Sequence, residues 1–149
     1  MIIRRASYDD ISAMVNLLNE LFTIEDDFVI DGEKQSRGLK LLLDIPNAIV
    51  LIVQECDSVI AMASVQPLVS TAIGETVGII EDVVVTGSYQ GRGIGKALIE
   101  ALIGESEKAG LKRLALGADQ RNLTAIAFYQ KQGFTASHMG LMYYLPLVP

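Results

Sequence analysis

Hydrophobic residues recur with helical spacing in four parts of the chain. In the first part, apolar side chains over residues 11–22 fall three or four positions apart. They follow a Ser7 and Asp10 pair of the kind that begins many helices. The pattern predicts helices over residues 7–22, 32–43, 94–110 and 122–132.

Shorter apolar runs between the helices predict β-strands. The run 77–85 is apolar on both faces, which is typical of a strand flanked on both sides, and a polar loop over residues 70–76 precedes it. The predicted strands are residues 2–4, 48–54, 59–66, 77–85 and 111–116, with two more within 134–147. The chain shows no repeat or linker. This order predicts one α/β domain over residues 1–149, with a single sheet and helices on both faces.

Composition narrows the classes of function. The chain has 149 residues, 50% of them hydrophobic and 20% charged, which is typical of a globular domain. A net charge of −6 argues against nucleic acid or an anionic membrane as the main partner. One cysteine and one histidine exclude a disulfide framework and a Cys/His metal site. We therefore expect no bound metal. No signal peptide or membrane span is visible, so we expect a cytoplasmic protein.

Three glycines within residues 91–95 separate the strand 77–85 from the third predicted helix. Glycine lets a ligand approach the backbone, and the N–H groups of a helix's first turn have no partners within the helix. The helix dipole adds positive charge at the same place, as do Arg92 and Lys96. The segment therefore predicts a binding site for phosphate or pyrophosphate.

Two known phosphate-binding motifs differ from this segment. A P-loop would need glycine in place of Gln90 and a hydroxyl residue in place of Ala97. The dinucleotide fingerprint G-x-G-x-x-G begins well at Gly91 but has Lys96 where its third glycine belongs. Asp119 nevertheless lies roughly where that motif places a ribose-binding acid. Dinucleotide binding therefore remains an alternative.

A third pattern, Gln90-x-x-Gly93-x-Gly95, resembles the [RQ]-x-x-G-x-[GA] signature of the GNAT superfamily of N-acetyltransferases. In that family an Asn and a Tyr recur in a later helix that ends in a Gly-Phe pair. The matching residues of this chain are Asn122, Tyr129, Gly133 and Phe134. The order of strands and helices is similar along nearly the whole chain.

The resemblance implies a GNAT-like fold and acetyl-coenzyme A (acetyl-CoA) as the acetyl donor. The fold has a mixed, mostly antiparallel sheet in which two neighbouring parallel strands, here 77–85 and 111–116, splay apart around the cofactor. The glycine segment would surround the pyrophosphate, and the strand before it would pair its backbone with the pantetheine arm. The cofactor-binding residues so implied are Val83, Val84, Val85, Gln90, Gly91, Arg92, Gly93, Ile94, Gly95, Lys96 and Asn122.

The resemblance also implies direct acetyl transfer to an amine. Tyr129 would be the general acid, since a phenol with a pKa of about 10 can protonate the departing thiolate. Glu81 would be the base, and burial within its apolar strand would raise the pKa of this carboxylate towards a useful value. Asp82 points to the opposite face. A water relay is the alternative base, because Gly117 stands where some family members carry a glutamate.

Acidic residues mark the predicted acceptor side. In the family, the region between the first two helices and the loop before the strand 77–85 line this side. Glu25, Asp26 and Asp82 would suit a cationic amine, so we expect a small-molecule amine as acceptor. A protein N-terminus or lysine, and a non-catalytic acyl-CoA-binding module, remain alternatives. The resemblance also allows a homodimer.

Overall fold

The structure is a computed structural model and describes residues 1–24 and 31–145. The chain divides into two compact units, Met1–Leu116 and Gly117–Pro149. Two of the predicted acceptor residues, Glu25 and Asp26, lie outside the described residues. The single domain over residues 1–149 stays a prediction.

The described part of the first unit contains a five-stranded sheet in the order β1-β2-β3-β4-β5. The strands are β1 (Ile2–Arg5), β2 (Ile49–Glu55), β3 (Ser58–Ser70), β4 (Glu75–Val85) and β5 (Leu114–Leu116). Neighbouring strands from β1 to β4 are antiparallel, and β4 and β5 are parallel. The predicted mixed, mostly antiparallel sheet with one parallel pair is confirmed.

Helices cover both faces of this sheet. They are α1 (Ile11–Ile24), α2 (Gly32–Asp44) and α3 (Ile94–Lys108). On one face, apolar side chains of α1 and α2, such as Met14 and Leu39, pack with Met62 and Val84 of the sheet. On the other face, Leu98 of α3 is fully buried where that helix packs against β2 and β3. The regular spacing of apolar positions along each helix produces these two layers.

The second unit contains one helix among its described residues, α4 (Leu123–Lys131). No helix within residues 1–24 and 31–145 is both long enough and apolar enough to cross a membrane.

Two segments differ from their predicted structure. Residues 70–76 were expected as a loop, but β3 and β4 pair as far as Ser70 and Glu75 and leave only a short turn that closes at Gly74. Polar side chains can face solvent on a strand, so their presence did not mark a loop.

The tail was expected to form two strands, but residues 134–145 form none. Strand propensity is not sufficient without a strand to pair with, and tail residues such as Met142 are exposed.

A buried carboxylate fixes the beginning of α1. Asp10 accepts two hydrogen bonds from the Arg4 guanidinium, at 2.8 and 2.9 Å. It also accepts the Ser7 N–H at 2.8 Å, as the sequence predicted for a capping pair. The bonds from Arg4 are the main reason that the pKa of Asp10 lies below its usual value of 3.8.

The substitution Asp10→Asn should lower the free energy of unfolding by about 2 kcal/mol at pH 7, because the amide loses the charge-assisted bonds. The folded-state pKa of Asp10 is depressed, so this stabilisation is present above the unfolded pKa of 3.8 and disappears as the pH falls through the folded value. The free energies of unfolding of the wild type and Asp10→Asn, measured with urea, should therefore become equal in acid. Asp9→Asn, in the same turn but exposed, is the control and should change stability by less than about 0.5 kcal/mol. Equal stabilities of wild type and Asp10→Asn at pH 7 would contradict this account.

Candidate functional site

β4 contains a β-bulge at Asp82. Ser64 of β3 pairs with Glu81 and Met62 pairs with Val84, so the residue between them on β3 faces two residues of β4. Asp82 has φ of 57°, in the left-handed region that Asp tolerates better than most residues. The fully buried Ser64 donates its hydroxyl to the Glu81 carbonyl oxygen at 3.1 Å. This hydrogen bond holds the strand at the point where its register changes.

The bulge reverses which backbone groups of β4 face away from β3. Before it, the Gly78 N–H donates to the Arg113 carbonyl just before β5, so even-numbered residues face the β5 side. After it, the Thr86 N–H donates to the Ile60 carbonyl of β3, so even-numbered residues now face β3. The odd-numbered residues Val83 and Val85 therefore turn their backbone groups towards the β5 side.

Val84 differs from the other two valines predicted to bind the pantetheine arm. Its backbone groups face β3, with which it pairs through Met62. Its side chain is 7% exposed and belongs to the core beneath α1 and α2. The one-residue shift at the bulge produces this difference. It leaves the backbone groups of Val83 and the N–H of Val85 to pair with a ligand, since the Val85 carbonyl already accepts the Gln90 side chain.

The ladder between β4 and β5 is short. It runs from the pair Gly78–Leu114 to the pair Ile80–Leu116, whereas β4 continues to Val85. Glycine is required within the ladder, because a Cβ at position 78 would lie 2.5 Å from Val65 Cγ1 and 2.8 Å from Leu114 Cδ2. The last five residues of β4 thus lie beyond the end of the β5 ladder.

The glycine loop, residues 90–93, connects β4 through a 3₁₀ turn (Gly87–Tyr89) to the N-terminus of α3. Gly91 and Gly93 have φ of 77° and 79°, and a Cβ at either position would meet no atom of the described residues within 4 Å. Gly93 is the N-cap of α3 and brings no capping side chain. The helix therefore begins at an open backbone surface where no side chain of residues 1–24 or 31–145 caps its first-turn N–H groups.

Side chains around the glycine loop give it positive charge and support. The Arg92 guanidinium lies over the Tyr89 ring, 4.9 Å from its centroid. Lys96 is exposed, with its Nζ 3.9 Å from the Glu100 carboxylate. The Gln90 side chain donates to the Val85 carbonyl at 2.9 Å, which ties the loop to the end of β4.

Glu20 of α1 was not predicted from the sequence as a residue of the site. Its carboxylate accepts the Thr86 hydroxyl at 2.8 Å and the Gly87 N–H at 3.1 Å, where β4 passes into the 3₁₀ turn. Glu20 is the one acidic residue in the sequence of α1, which sets it apart. The sequence does not reveal its partners, which lie 66 and 67 positions further along the chain.

The two carboxylates of β4 have different surroundings. Glu81 was predicted as a buried base but is exposed. Apolar neighbours along the same strand do not bury a side chain, because burial depends on what packs against that face of the sheet. Asp82 is half-buried and occupies the left-handed position of the bulge. The bulge supplies a structural reason for an acidic residue at position 82.

Substitutions at Asp82 should show whether the bulge requires a residue that tolerates positive φ. Asp82→Val should destabilise the protein by about 2 kcal/mol, because a β-branched residue is strained at positive φ. Asp82→Asn should retain stability, since Asn also tolerates this conformation. Thermal unfolding checks both, with Val83→Ala on the same strand as a control for lost packing. If Asp82→Val were as stable as Asp82→Asn, the bulge would not require this residue type.

In the second unit, Asn122 precedes α4 and Tyr129 lies in its last turn. Asn122 is the N-cap, and its Oδ1 accepts the Ala125 N–H at 3.1 Å. Tyr129 is half-buried and lies edge-on to Phe128 and Phe134, with ring centroids 5.2 and 5.9 Å apart. The Tyr129 ring is thus held in one orientation by its aromatic neighbours.

Two observations oppose the dinucleotide alternative. Asp119 is bound through both carboxylate oxygens by Arg121, and these hydrogen bonds lower the pKa of Asp119 to about 2. This acid is thus occupied within its own loop. Among the described residues the sheet has a single parallel pair, and so it lacks the mostly parallel order of a doubly wound dinucleotide-binding fold.

Residues 11–134 match the family model described as the acetyltransferase (GNAT) family. The match spans most of the chain, so the chain belongs to this family. The resemblance predicted from the glycine loop and from the residues of α4 is confirmed.

Individual relatives match over shorter segments. The glucosamine 6-phosphate N-acetyltransferase of Trypanosoma brucei brucei is 46% identical over 63 residues, which are 42% of this chain and 41% of that protein. The ribosomal protein bS18 alanine N-acetyltransferase of Escherichia coli (strain K12) is 40% identical over 63 residues, 42% of this chain and 43% of that protein. This chain therefore spans about two-fifths of the length of these curated relatives.

The fold is shared with solved acetyltransferase structures. One is the crystal structure of a predicted acetyltransferase of Clostridium acetobutylicum with acetyl-CoA, which has a TM-score of 0.78 and 20% sequence identity. The similarity covers 97% of this chain and 96% of that chain. At this level of identity the comparison shows the fold alone.

Proposed function

We propose that the protein binds acetyl-CoA and transfers its acetyl group directly to a primary amine of a small molecule. The observation that carries the proposal is the glycine loop, which leaves the N-terminus of α3 open directly after β4. Membership of the acetyltransferase (GNAT) family supports the same activity.

The proposed cofactor site uses backbone groups more than side chains. The pyrophosphate would accept N–H groups from the glycine loop and from Ile94, Gly95 and Lys96 in the first turn of α3. Arg92 and Lys96 would add charge from its exposed side. The pantetheine arm would run along β4 beyond the β5 ladder. The orientation of Val83 and Val85 supports this placement.

The proposed reaction is an attack by the neutral amine on the thioester carbonyl carbon. Negative charge develops on the carbonyl oxygen, and an N–H group of β4 would stabilise it. The carbon–sulfur bond then breaks, and the departing thiolate takes a proton from the Tyr129 hydroxyl. The amine gives up its own proton to Glu81 or to a water relay. The exposure of Glu81 leaves it open to solvent, which suits either route.

The class of acceptor is proposed from charge and from relatives. A net charge of −6 favours a cationic amine over an anionic one. The relative named for glucosamine 6-phosphate supports a small amine, whereas the relative named for ribosomal protein bS18 supports a protein N-terminus as the second candidate. A cytoplasmic location and a homodimer stay predictions.

A turnover screen tests the proposal. Purified protein would be incubated with acetyl-CoA and separate pools of amino sugars, amino sugar phosphates, polyamines, amino acids and peptides with free N-termini. Mass spectrometry would detect acetylated products. We expect turnover in one small-molecule pool. Turnover with peptides alone would favour the second candidate, and binding of acetyl-CoA without turnover in any pool would favour a non-catalytic module.

A further inference from the structure

We infer that Glu20 is a positioning residue for the proposed cofactor site, because its carboxylate fixes the start of the segment that carries the glycine loop. The inference rests on the proposed function, in that the glycine loop must bind the cofactor's pyrophosphate. Glu20 acts through Thr86 and Gly87 and is not proposed to touch the cofactor.

The contacts of Glu20 lie where the hydrogen bonds between β4 and β3 end. The Thr86 N–H is the last that bonds to β3, through the Ile60 carbonyl at 2.8 Å. The next two donors along the chain, the Thr86 hydroxyl and the Gly87 N–H, each bond to a different oxygen of Glu20. The carboxylate thus continues the anchoring of the chain past the end of β4.

The 3₁₀ turn carries this anchoring to the glycine loop. The Tyr89 N–H and the Gln90 N–H donate back to the Thr86 and Gly87 carbonyls, at 3.0 and 3.3 Å. Tyr89 in turn lies beneath the Arg92 guanidinium. A shift of Thr86 and Gly87 would therefore displace both the loop and one of its two cations.

The helix that presents Glu20 is fixed to the core. Leu17 and Leu18 of α1 are 2% and 3% exposed, and α1 packs against β3 and β4. The glycines of the segment would otherwise leave its backbone mobile before the ligand binds. Ordering the segment in advance lowers the entropy lost on binding and so increases affinity.

The charge of Glu20 provides a discriminating test. A carboxylate near a site for anions repels them through space, so by charge alone Glu20 should weaken cofactor binding. Its hydrogen bonds should strengthen binding by holding the loop. Glu20→Ala removes both effects, whereas Glu20→Gln removes the charge and keeps an amide oxygen that can accept the Gly87 N–H.

The experiment is isothermal titration of CoA into the wild type, Glu20→Ala, Glu20→Gln and Thr86→Val. Glu107→Ala is the matched control, because it removes an exposed carboxylate near the other end of α3. We expect Glu20→Ala to raise Kd about tenfold, equivalent to about 1.4 kcal/mol. Glu20→Gln should restore affinity to within about threefold of wild type, because it retains one of the two acceptor contacts. Glu107→Ala should bind as wild type does.

A double variant and thermal unfolding complete the test. In Glu20→Ala/Thr86→Val the change in ln Kd should be smaller than the sum of the two single changes, because both substitutions remove the same hydrogen bond. Strictly additive changes would contradict a role for that bond. A purely structural role would lower Tm in Glu20→Ala while leaving Kd at the wild-type value, and this would overturn the inference. Tighter binding by both Glu20 variants would overturn it in favour of simple repulsion. Failure of the wild type to bind CoA would instead refute the proposed function, and the inference with it.

Discussion

Gly93→Gln should weaken CoA binding at least about a hundredfold, a loss of about 2.7 kcal/mol, while α3 still forms. Gly93 has φ of 79° at the N-cap of α3, and the space around its missing Cβ is open. In the proposed complex the pyrophosphate occupies this space, so a glutamine side chain would displace phosphate oxygens from the N–H groups. Isothermal titration measures the loss, and circular dichroism verifies the helix.

The same chain offers a matched control in Gly110. It has φ of 80° and follows α3 at the opposite end, and a Cβ there would likewise meet no atom within 4 Å in the part of the chain that the structure describes. Gly110→Gln should therefore carry the same backbone strain, about 1–2 kcal/mol, without touching the cofactor. If Gly93→Gln and Gly110→Gln bound CoA with equal affinity, the glycine loop would not be part of the binding site.

Tyr129→Phe should lower kcat about a hundredfold and leave the affinity for acetyl-CoA nearly unchanged. In the proposed mechanism the hydroxyl protonates the thiolate, so its loss acts on the transition state and little on binding. A phenylalanine ring would keep the edge-on contacts with Phe128 and Phe134, and the fold should be retained.

Tyr144→Phe is the control for this substitution, since Tyr144 is 75% exposed. Both variants would be assayed with the acceptor found in the turnover screen, with saturating acetyl-CoA. The control should turn over at the wild-type rate. If Tyr129→Phe did so too, Tyr129 would serve only to pack α4, and the general acid would have to be sought elsewhere.

Much of the fold could be predicted because it depends on local patterns. Apolar spacing predicted both ends of α2, α3 and α4 to within two residues, and the apolar run 77–85 predicted β4. For α1 the predicted start at residue 7 lies four residues before the observed one. The capping pair Ser7 and Asp10 was recognised because a helix start has a local signature.

The features that were missed depend on pairing between distant segments. The bulge at Asp82 arises from the register of β4 against β3, so an acid within an apolar strand suggested buried chemistry rather than a left-handed backbone position. The contact of Glu20 with Thr86 is equally remote in sequence. The roles of Glu81 and Tyr129 stay predictions, because a motif indicates a residue's family position and not its reactivity.

Calorimetric titration of the wild-type protein with acetyl-CoA, with NAD and ATP titrated in parallel, tests the central claim most directly. We expect selective micromolar binding of acetyl-CoA, with far weaker binding of NAD and ATP. Absence of acetyl-CoA binding, or a preference for NAD, would contradict the assignment of the glycine loop as the site of the CoA pyrophosphate.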